Sequence, residues 1–491
     1  MNILSLFVLL PVLMMVGVWL ARTLGQIRGV MVVGASLLLV LSVWLTASFL
    51  SLRAAGDLSP MLYMASTVWY APLRISYAVG VDGISVLMLL LSSVIVFTGT
   101  FASWRIARAK SYFLWYCLLA VGVYGFFISV DLFAMFMFYE IALIPMYLLI
   151  GVWGSGRKEY AAMKLTLMLM GGSALLLIGI LGIFFGSGAQ TMHVLEIAVL
   201  NNIPLEVQKI FFPFVFIGFG VLGALFPFHT WSPDGHASAP TAVSMLHAGV
   251  LMKLGGYGCF RVAIYLLPDA AAELSWIFLV LTTISVVYGA FCACVQTDLK
   301  YINAYSSVSH CGLVLFALLM MTQTSCTGAI LQMLSHGLMT ALFFALIGMI
   351  YGRTHTRDVR EMRGLMQVMP FLSVGYVVAG LANLGLPGLS GFVAEMTIFV
   401  GSFQHTDFFH RVCTLLACTS IVITAVYILR VVGRMLYGRC VDEHHVALTD
   451  ATWDERLVVI CLICAVAGMG LAPFWLSDLI GEGVGSVLAN G

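Results

Sequence analysis

Charged residues are scarce in this chain. Asp, Glu, Lys and Arg form 9% of its 491 residues, and 62% of the residues are hydrophobic. A typical soluble domain carries about 25% charged residues. The composition therefore excludes a soluble globular protein and predicts an all-α protein that crosses a membrane many times. The net charge is only +1 and no loop is both basic and aromatic, so we expect no nucleic-acid partner.

The chain also lacks a metal-binding pattern of cysteines. Its eleven cysteines lie almost entirely within apolar runs. Cys461 and Cys464 form a CxxC pair, and Cys292 and Cys294 form a CxC pair, but neither has a second ligand pair or a histidine cluster nearby. Buried cysteine behaves as a small hydrophobic residue. We therefore expect no iron–sulfur cluster, haem or zinc on this chain.

Long polar segments are absent. Instead, the chain is a succession of apolar runs of about 20 residues, and each run is long enough to cross about 30 Å of hydrocarbon. The first run lacks a basic flank and a cleavage site, which indicates a retained helix. Asp82 and Asp298 stand where two of the runs begin. About fourteen spans are predicted, at 2–22, 28–50, 82–103, 112–129, 131–153, 162–186, 209–229, 238–267, 272–295, 300–322, 325–351, 370–404, 410–437 and 454–476.

The basic residues are distributed unequally between the two sets of loops. Fifteen Lys and Arg residues fall in one set, and only Arg53, Arg74, Lys209 and Arg411 fall in the other. Cytoplasmic loops carry an excess of basic residues. The bias predicts that the first set faces the cytoplasm and that both termini face outward.

Two of the predicted spans contain a break. Pro227 interrupts the seventh span, and Pro387 lies among glycines in the twelfth. Proline removes a backbone donor, and the freed groups need partners or a wet cavity. Paired breaks in two halves of a chain are typical of transporters built from inverted repeats, although ordinary proline kinks are the alternative. We predict segments at 1–103 (three helices), 112–267 (first repeat), 272–437 (second, inverted repeat) and 454–491 (C-terminal helix and tail).

Several ionisable side chains lie deep inside apolar runs. Glu140, Lys253, His310, His336 and Glu395 are all far from the flanking loops. Burying such groups costs a few kcal/mol or more, so they normally face a water-filled interior and mark ion or proton paths. Groups of these types, linked by water, can exchange protons near neutral pH. The pattern therefore predicts a proton relay within the membrane.

Lys164 is ambiguous because it lies close to the start of its span. It either extends to the membrane surface or turns inward to pair with Glu140. Arg157 and Lys158 already anchor that end of the helix, so we favour the inward orientation.

Several segments resemble a known family. They are FYEIALIPMYLLIGVWG, FPFHTWSPDGHASAPTAVSMLHAGVLMKLGGYG, QTDLKYINAYSSVSH, QMLSHGLMTALFF, RTHTRDVREMRGL and LGLPGLSGFVAEMTIFVGSF. In this order they are similar to the antiporter-like subunits of bacterial respiratory complex I, the NADH–quinone oxidoreductase. The FVAEMTIFVGSF and RTHTRDVREMRGL segments favour the M-type branch, the counterpart of mitochondrial subunit 4.

The resemblance implies a fourteen-helix fold with two inverted five-helix repeats and a polar axis that carries protons. Glu140, Lys164 and Lys253 match the family's acid of the fifth helix and its lysines of the sixth and eighth. His310 and His336 match the histidines that continue the axis, and Glu395 matches the terminal acid near the outlet. The resemblance further implies a location in the bacterial inner membrane beside the antiporter-like chains L and N and membrane lipids. It implies no cofactor on this chain, with FMN, iron–sulfur clusters and quinone held by partner subunits.

One position departs from the family pattern. The lysine expected on the seventh helix, about five residues before its proline, is replaced by Leu222. Lys164 could take over as partner of Glu140, or His247 or His229 could supply the central titratable group. The third alternative is a subunit that has lost pumping. We favour rerouting because Glu140, Lys253 and Glu395 are retained despite the cost of burying them.

The residues leave other functions open. An Mrp-type sodium/proton antiporter subunit, or the membrane subunit of an energy-converting hydrogenase, would carry the same fold and most of these motifs. A structural scaffold with vestigial charges is a third alternative.

Overall fold

The computed structural model describes residues 2–57, 59–188, 191–200, 202–440 and 443–489. The described chain is almost entirely helical. Its α-helices are α1 (Leu6–Leu20), α2 (Leu24–Ala54), α3 (Gly83–Ala102), α4 (Ala109–Ile128), α5 (Leu132–Trp153), α6 (Lys158–Gly186), α7 (Val194–Leu200), α8 (Leu205–Leu222), α9 (Trp231–Ser238), α10 (Thr241–Leu246), α11 (Met252–Gly258), α12 (Pro268–Val295), α13 (Leu299–Leu319), α14 (Gln323–Thr354), α15 (Leu365–Val368), α16 (Pro370–Asn383), α17 (Ser390–Ser402), α18 (Phe408–Leu436), α19 (Glu443–Val446), α20 (Trp453–Leu471) and α21 (Phe474–Leu488).

The predicted polytopic all-α membrane fold is confirmed. Among the described residues, eleven helices are long and apolar enough to cross a membrane unaided, and the bent pair α20 and α21 adds a twelfth. The predicted eighth span is built from shorter helical pieces, and the twelfth consists of α16 and α17. Counting these two as spans gives the fourteen predicted from hydropathy. The helices α13 and α14 are the most enclosed, so their side chains line the interior of the bundle.

The break predicted at Pro227 is present. The helix α8 ends at Leu222, and the chain turns through Ala224, whose φ is +55°, before α9 begins at Trp231. The indole Nε1 of Trp231 donates to the carbonyl of Val221 at 3.0 Å. This bond satisfies a backbone group that the break frees inside the bundle.

The break predicted at Pro387 is also present. The helix α16 ends at Asn383 and α17 begins at Ser390. Gly385 and Gly388 have φ values of +65° and +93°, in the left-handed region that glycine enters without steric cost. The LGLPGLSG sequence therefore produces a turn at membrane depth, and α17 places Glu395 in the interior.

The eighth span is irregular on both sides of its lysine. Two π-helical segments, His247–Leu251 and Cys259–Ile264, flank α11. Such bulges are frequent at functional sites because they redirect side chains. A Cβ atom added at Gly255 would lie 2.5 Å from the backbone nitrogen of Gly223, so glycine permits α11 to touch the break after α8.

Two elements were not predicted. Between the second and third predicted spans, the chain forms an antiparallel hairpin of β1 (Leu62–Tyr70) and β2 (Ile75–Val81). The C-terminal tail, predicted to follow a single last helix ending near 476, instead forms α21, which turns 74° from α20. Gly83 lies against Leu479, since an added Cβ would be 2.6 Å from the Leu479 carbonyl oxygen. The tail thus packs against the start of α3.

A buried ion pair joins this region to the eighth span. The guanidinium of Arg261 donates to Asp82, and both side chains are 4% exposed. Asp82 also caps α3 by accepting from the backbone of Ser85 at 2.9 Å, as predicted for a residue at a helix start.

We expect Asp82→Asn to lower the free energy of unfolding in detergent by about 3–5 kcal/mol. Asparagine keeps the helix cap, but the guanidinium of Arg261 is then buried without a counter-charge. Denaturant unfolding followed by tryptophan fluorescence measures the change. The double variant Asp82→Asn with Arg261→Met should recover most of the loss, and a double variant as unstable as the single one would contradict the ion-pair explanation.

Candidate functional site

The polar groups predicted on the eighth and eleventh spans are in direct contact. Lys253 of α11 is buried, and its Nζ lies 2.7 Å from Nδ1 of His336 on α14. The same ammonium donates to the carbonyl of Ala248, which belongs to the preceding π-helical segment. Because the ammonium can only donate, His336 accepts at Nδ1 and keeps its own proton on Nε2. Lys253 and His336 are therefore positioned to exchange a proton.

A second contact extends this row to the broken twelfth span. The ring of His310 on α13 lies 5.3 Å from that of His336, measured between centroids. Nδ1 of His310 lies 3.6 Å from Oε1 of Glu395 on α17. Lys253, His336, His310 and Glu395 thus form one continuous row across four helical elements, which we call the central row.

Amide side chains fix the orientation of His310. Gln332 donates to Nδ1 at 3.0 Å, and Nε2 donates to Oδ1 of Asn383 at 2.6 Å. This arrangement places the ring proton on Nε2, and the lone pair of Nδ1 accepts from Gln332 while Oε1 of Glu395 lies 3.6 Å from the same nitrogen. Asn383 in turn donates to Ser306 at 3.2 Å. The turn after Asn383 therefore holds both the orienting amide and, through α17, the acid.

Two further histidines lie before Lys253. His236 of α9 and His247 are fully buried with ring centroids 4.3 Å apart, and His247 stacks on Trp231. Neither ring nitrogen of His247 has a protein partner among the described residues. Buried ring nitrogens normally bond to water when no protein group is available. His229 lies apart from this pair, packed on Phe226 and Tyr288.

Lys164 has a different partner from the predicted one. Its Nζ lies 2.7 Å from Oδ2 of Asp234 on α9, and the hydroxyl of Tyr301 donates to Oδ1 of Asp234 at 3.0 Å. The prediction that Lys164 pairs with Glu140 is therefore wrong. The reason is the break after α8, which brings α9 alongside α6 and presents a carboxylate to the lysine.

A polar cavity of about 210 Å³ adjoins this ion pair. Its lining includes Arg157, Asp234, Tyr301 and Arg357. Arg357 forms an ion pair with Asp298 at 3.1 Å. The cavity lies at the end of the bundle where the predicted cytoplasmic loops gather, so water can reach Lys164 from that side.

Lys300, at the boundary of the predicted tenth span, is buried with 4% of its surface exposed. Its Nζ donates to the carbonyl of Ala239 at 2.7 Å, between α9 and α10. Asp298 caps α13 by accepting from the backbone of Lys300 at 2.8 Å, as predicted for a helix start. The ammonium of Lys300 thus stands between the polar cavity and the buried histidine pair.

Glu140 is not part of the central row. It is half-buried and shares a face of α5 with Ile144 and Tyr147, which are 59% and 39% exposed. Its Oε1 has no hydrogen-bond partner among the described residues. Helical spacing of three to four residues puts these three side chains on one lateral surface of the bundle.

Leu222, at the position of the missing lysine, is fully buried at the end of α8. The cavity beside the adjacent Gly223 and Lys253 has a volume of only about 10 Å³. A cavity needs roughly 10–15 Å³ to hold one water molecule. This part of the interior therefore has room for about one water molecule at most.

Sequence reasoning missed Asp234, Lys300, Gln332 and Asn383. Gln332 and Asn383 stand inside apolar runs, and this signal was available from the sequence. Asp234 and Lys300 gave no such signal, because both lie next to predicted span ends where charged residues are ordinary. Cys311 is the cysteine that contacts the site, with its Sγ 3.9 Å from Nδ1 of His336.

The chain is similar to several known proteins. A family model described as NADH:quinone oxidoreductase/Mrp antiporter, TM, matches residues 129–424. NAD(P)H-quinone oxidoreductase chain 4 2 of Microcystis aeruginosa is 36% identical over 435 residues, covering 82% of this chain and 78% of the relative. Chain 4-2 of the same oxidoreductase from Synechocystis is 38% identical over 437 residues, with the same coverage of both chains.

Solved structures share the fold. A chain of respiratory complex I from Thermus thermophilus, solved with bound NADH, superposes with a TM-score of 0.89 at 26% identity and 99% coverage of both chains. A chain of the Mrp complex from Dietzia superposes with a TM-score of 0.81 at 19% identity, covering 99% of this chain and 98% of that one. The family model matches more than half of the sequence, and the relatives align with most of it. The chain therefore belongs to the NADH:quinone oxidoreductase/Mrp antiporter transmembrane family.

Proposed function

We propose that this chain is a proton-translocating membrane subunit of an NAD(P)H–quinone oxidoreductase of the complex I type. The observation that carries the proposal is the central row, in which Lys253 touches His336 and His310 faces Glu395 inside the bundle. The chain 4 relatives and the complex I chain from Thermus thermophilus support it. Electron transfer takes place in partner subunits, and FMN, iron–sulfur clusters and quinone belong to them.

Protons enter at the polar cavity beside Lys164 and Asp234. From there they pass Lys300 and the pair of His236 and His247, through bridging water, to Lys253. This order follows the positions of the groups along the bundle, from the cavity to the broken twelfth span. The basic loops at the cavity end favour the cytoplasm as the source of protons.

Along the central row, each histidine takes a proton at one nitrogen and gives one up. Lys253 transfers a proton to Nδ1 of His336, and His336 releases its Nε2 proton to water. That water delivers a proton to Nδ1 of His310 once the Gln332 amide releases this nitrogen, and His310 passes the proton to Oε1 of Glu395, which lies 3.6 Å away. Glu395 then releases it outward. Moving one charge through about 100 mV requires about 2.3 kcal/mol, and rearranging a buried ion pair is large enough to supply this.

The ion pair of Lys164 and Asp234 serves in place of the missing lysine of the seventh helix. In this chain the cation of the pair is Lys164 on α6 and the carboxylate is Asp234 on α9, whereas the family pattern places a cation on α8 at the position of Leu222. The proton path is thus rerouted around Leu222, with Asp234 rather than Glu140 as the partner of Lys164.

We expect Lys164→Ala to reduce the ratio of protons pumped to electrons transferred two- to five-fold in reconstituted enzyme, because Asp234 then retains an uncompensated charge at the uptake cavity. Asp234→Asn should have a similar effect, and the double variant should be no worse than either single one. Proton uptake into proteoliposomes, measured with a pH-sensitive dye during NADH oxidation, gives the ratio. His247→Ala is the companion variant, since it removes the other proposed uptake group. Unchanged ratios for Lys164→Ala and His247→Ala, with pumping abolished by Glu140→Ala, would contradict this route.

We place the chain in the bacterial inner membrane with both termini outside, next to the antiporter-like chains L and N. The half-buried Glu140 lies on a lateral surface together with exposed Ile144 and Tyr147. Oε1 of Glu140 is enclosed within the chain, whereas the exposed Ile144 and Tyr147 beside it present apolar surface that a neighbouring subunit can cover. This surface of α5 is therefore the contact we assign to an adjacent membrane subunit.

The structural likeness to the Mrp complex supports an alternative, a subunit of a sodium/proton antiporter. The two functions differ in what the chain assembles with and in the ion it exchanges. Mass spectrometry of co-purified proteins should identify quinone-reductase subunits, and vesicles carrying the chain alone should show no sodium-driven proton exchange. Partners limited to antiporter subunits, together with sodium-driven exchange, would favour the alternative.

A further inference from the structure

The loop between α17 and α18 brings together side chains that are able to bind a metal ion. His405, Asp407 and His410 each offer a ligand atom, and these atoms all lie within 4.8 Å of one another. Nδ1 of His405 lies 3.9 Å from Oδ1 of Asp407, and Nδ1 of His410 lies 2.7 Å from Oδ2. The two imidazole rings are stacked with centroids 4.2 Å apart and an interplanar angle of 12°.

The tautomer of His405 is set by the backbone. Its Nε2 lies 2.7 Å from the carbonyl oxygen of Met320, at the end of α13. Because a carbonyl oxygen only accepts, Nε2 carries the proton and Nδ1 presents its lone pair toward Asp407. A histidine that donates its second nitrogen to a backbone carbonyl is the usual arrangement for a metal ligand.

One carboxylate oxygen of Asp407 takes no part in the helix cap. Its Oδ2 caps α18 by accepting from the backbone of His410 at 3.0 Å, whereas Oδ1 faces His405. An ion can therefore bind Oδ1 while the helix cap stays in place. Nδ1 of His410 donates to Oδ2 of Asp407 at 2.7 Å, so an ion binds this nitrogen after His410 moves its proton to Nε2.

The loop that carries these residues is held in place by its neighbours. Thr322 donates to the carbonyl of Gly401 at 3.1 Å, and Gln404 donates to Thr324 at 3.1 Å. A nearby cation, Arg411, donates to the carbonyl of His405 at 3.2 Å through its Nε. Supported ligands lose little freedom when an ion binds. The side chains of His405, Asp407 and His410 are 28%, 50% and 21% exposed, so an ion and its water can reach them.

We propose that His405, Asp407 and His410 form a binding site for a divalent transition-metal ion of the zinc class. Two imidazole nitrogens and one carboxylate oxygen, with a water as fourth ligand, match the ligand preference of Zn²⁺. Bonds of about 2.0–2.1 Å in a tetrahedral site place ligand atoms about 3.4 Å apart, so small side-chain rotations complete the geometry.

The site revises the expectation that the chain carries no zinc, which considered only cysteines. A bound ion would join the end of α17, the helix that carries Glu395, to the start of α18, with His405 also tied to α13. The proposal does not rest on the proposed function, because metal binding is measured without any pumping assay.

The test is equilibrium dialysis of the full-length chain, purified in detergent with a histidine-free affinity tag, against Zn²⁺ after chelator treatment. We expect the variant His405→Ala with His410→Ala to bind one ion fewer per chain than the unaltered protein. Asp407→Asn, which keeps the helix cap, should weaken binding of that ion at least ten-fold. His355→Asn is the matched control, since this exposed histidine lies at the other end of the bundle and its left-handed backbone suits asparagine.

X-ray absorption at the zinc edge gives an independent readout, because the eleven cysteines also attract zinc. The ion lost in the double variant should show imidazole and oxygen scattering without sulfur. Equal stoichiometry in the double variant and the unaltered chain, or sulfur ligation of the ion in question, would overturn the proposal.

Discussion

Replacing Lys253 by methionine is expected to abolish proton translocation by this chain while leaving it folded. Lys253 is the only cation that contacts His336 among the described residues, and it is the donor at the head of the central row. Methionine has a similar length and suits a buried site, so the main structural cost is the lost donor to Nδ1 of His336, about 1–3 kcal/mol. Reconstituted enzyme should show at least a ten-fold drop in the protons attributable to this subunit.

The matched control is Lys158→Met. Lys158 lies at the start of α6, where its ammonium donates to the carbonyl of Val152 at 2.9 Å in an exposed position. It has no part in the central row, so its loss should leave the proton-to-electron ratio unchanged. Full pumping by Lys253→Met, or an equal loss in both variants, would contradict the role assigned to Lys253.

The second large effect is expected for Glu395→Gln. Glutamine preserves the size of the side chain and can still bond to His310, but it cannot take up and release a proton. If Glu395 is the outlet, protons that reach His310 have no acceptor, and pumping through this chain should fall at least ten-fold. Release on the outer side can be followed with a dye trapped inside inverted vesicles.

Glu482→Gln provides the comparison for that experiment. Glu482 lies on α21, is 60% exposed, and makes a long ion pair of 3.9 Å with Arg53. Its replacement should not alter proton release. If Glu395→Gln pumps as well as Glu482→Gln, the outlet lies elsewhere, and the contact between His310 and Glu395 is structural.

The hydropathy of the chain predicts its spans well, because each span must satisfy its own backbone in hydrocarbon and therefore forms a local structure. The breaks at Pro227 and Pro387 follow from the same local rules, as do the helix starts at Asp82 and Asp298. The hairpin of β1 and β2 was missed because its residues read as a loop in a chain dominated by apolar runs. The division into two repeats stays a prediction.

The buried charges, in contrast, find partners that lie far away in the sequence. Lys164 and Asp234 are separated by 70 residues in the sequence, and Lys253 and His336 by 83. The sequence favoured pairing Lys164 with Glu140 because Glu140 lies on the neighbouring span and Arg157 and Lys158 already anchor that end of the helix. The structure pairs it with Asp234 instead, because the turn after α8 redirects α9, and the course of such a turn depends on what surrounds it.

The sequence by itself determined that this protein lies in a membrane, where its helices begin and break, and which ionisable groups are buried. Those features depend on the free energy of transferring side chains and backbone from water to hydrocarbon. Each segment sets that free energy by its own composition. Only the tertiary structure decided which buried groups touch, that Glu140 stands apart from the central row, and that Leu222 is fully buried. Contacts between distant segments are set by how whole helices pack, and hydropathy carries no information about that packing.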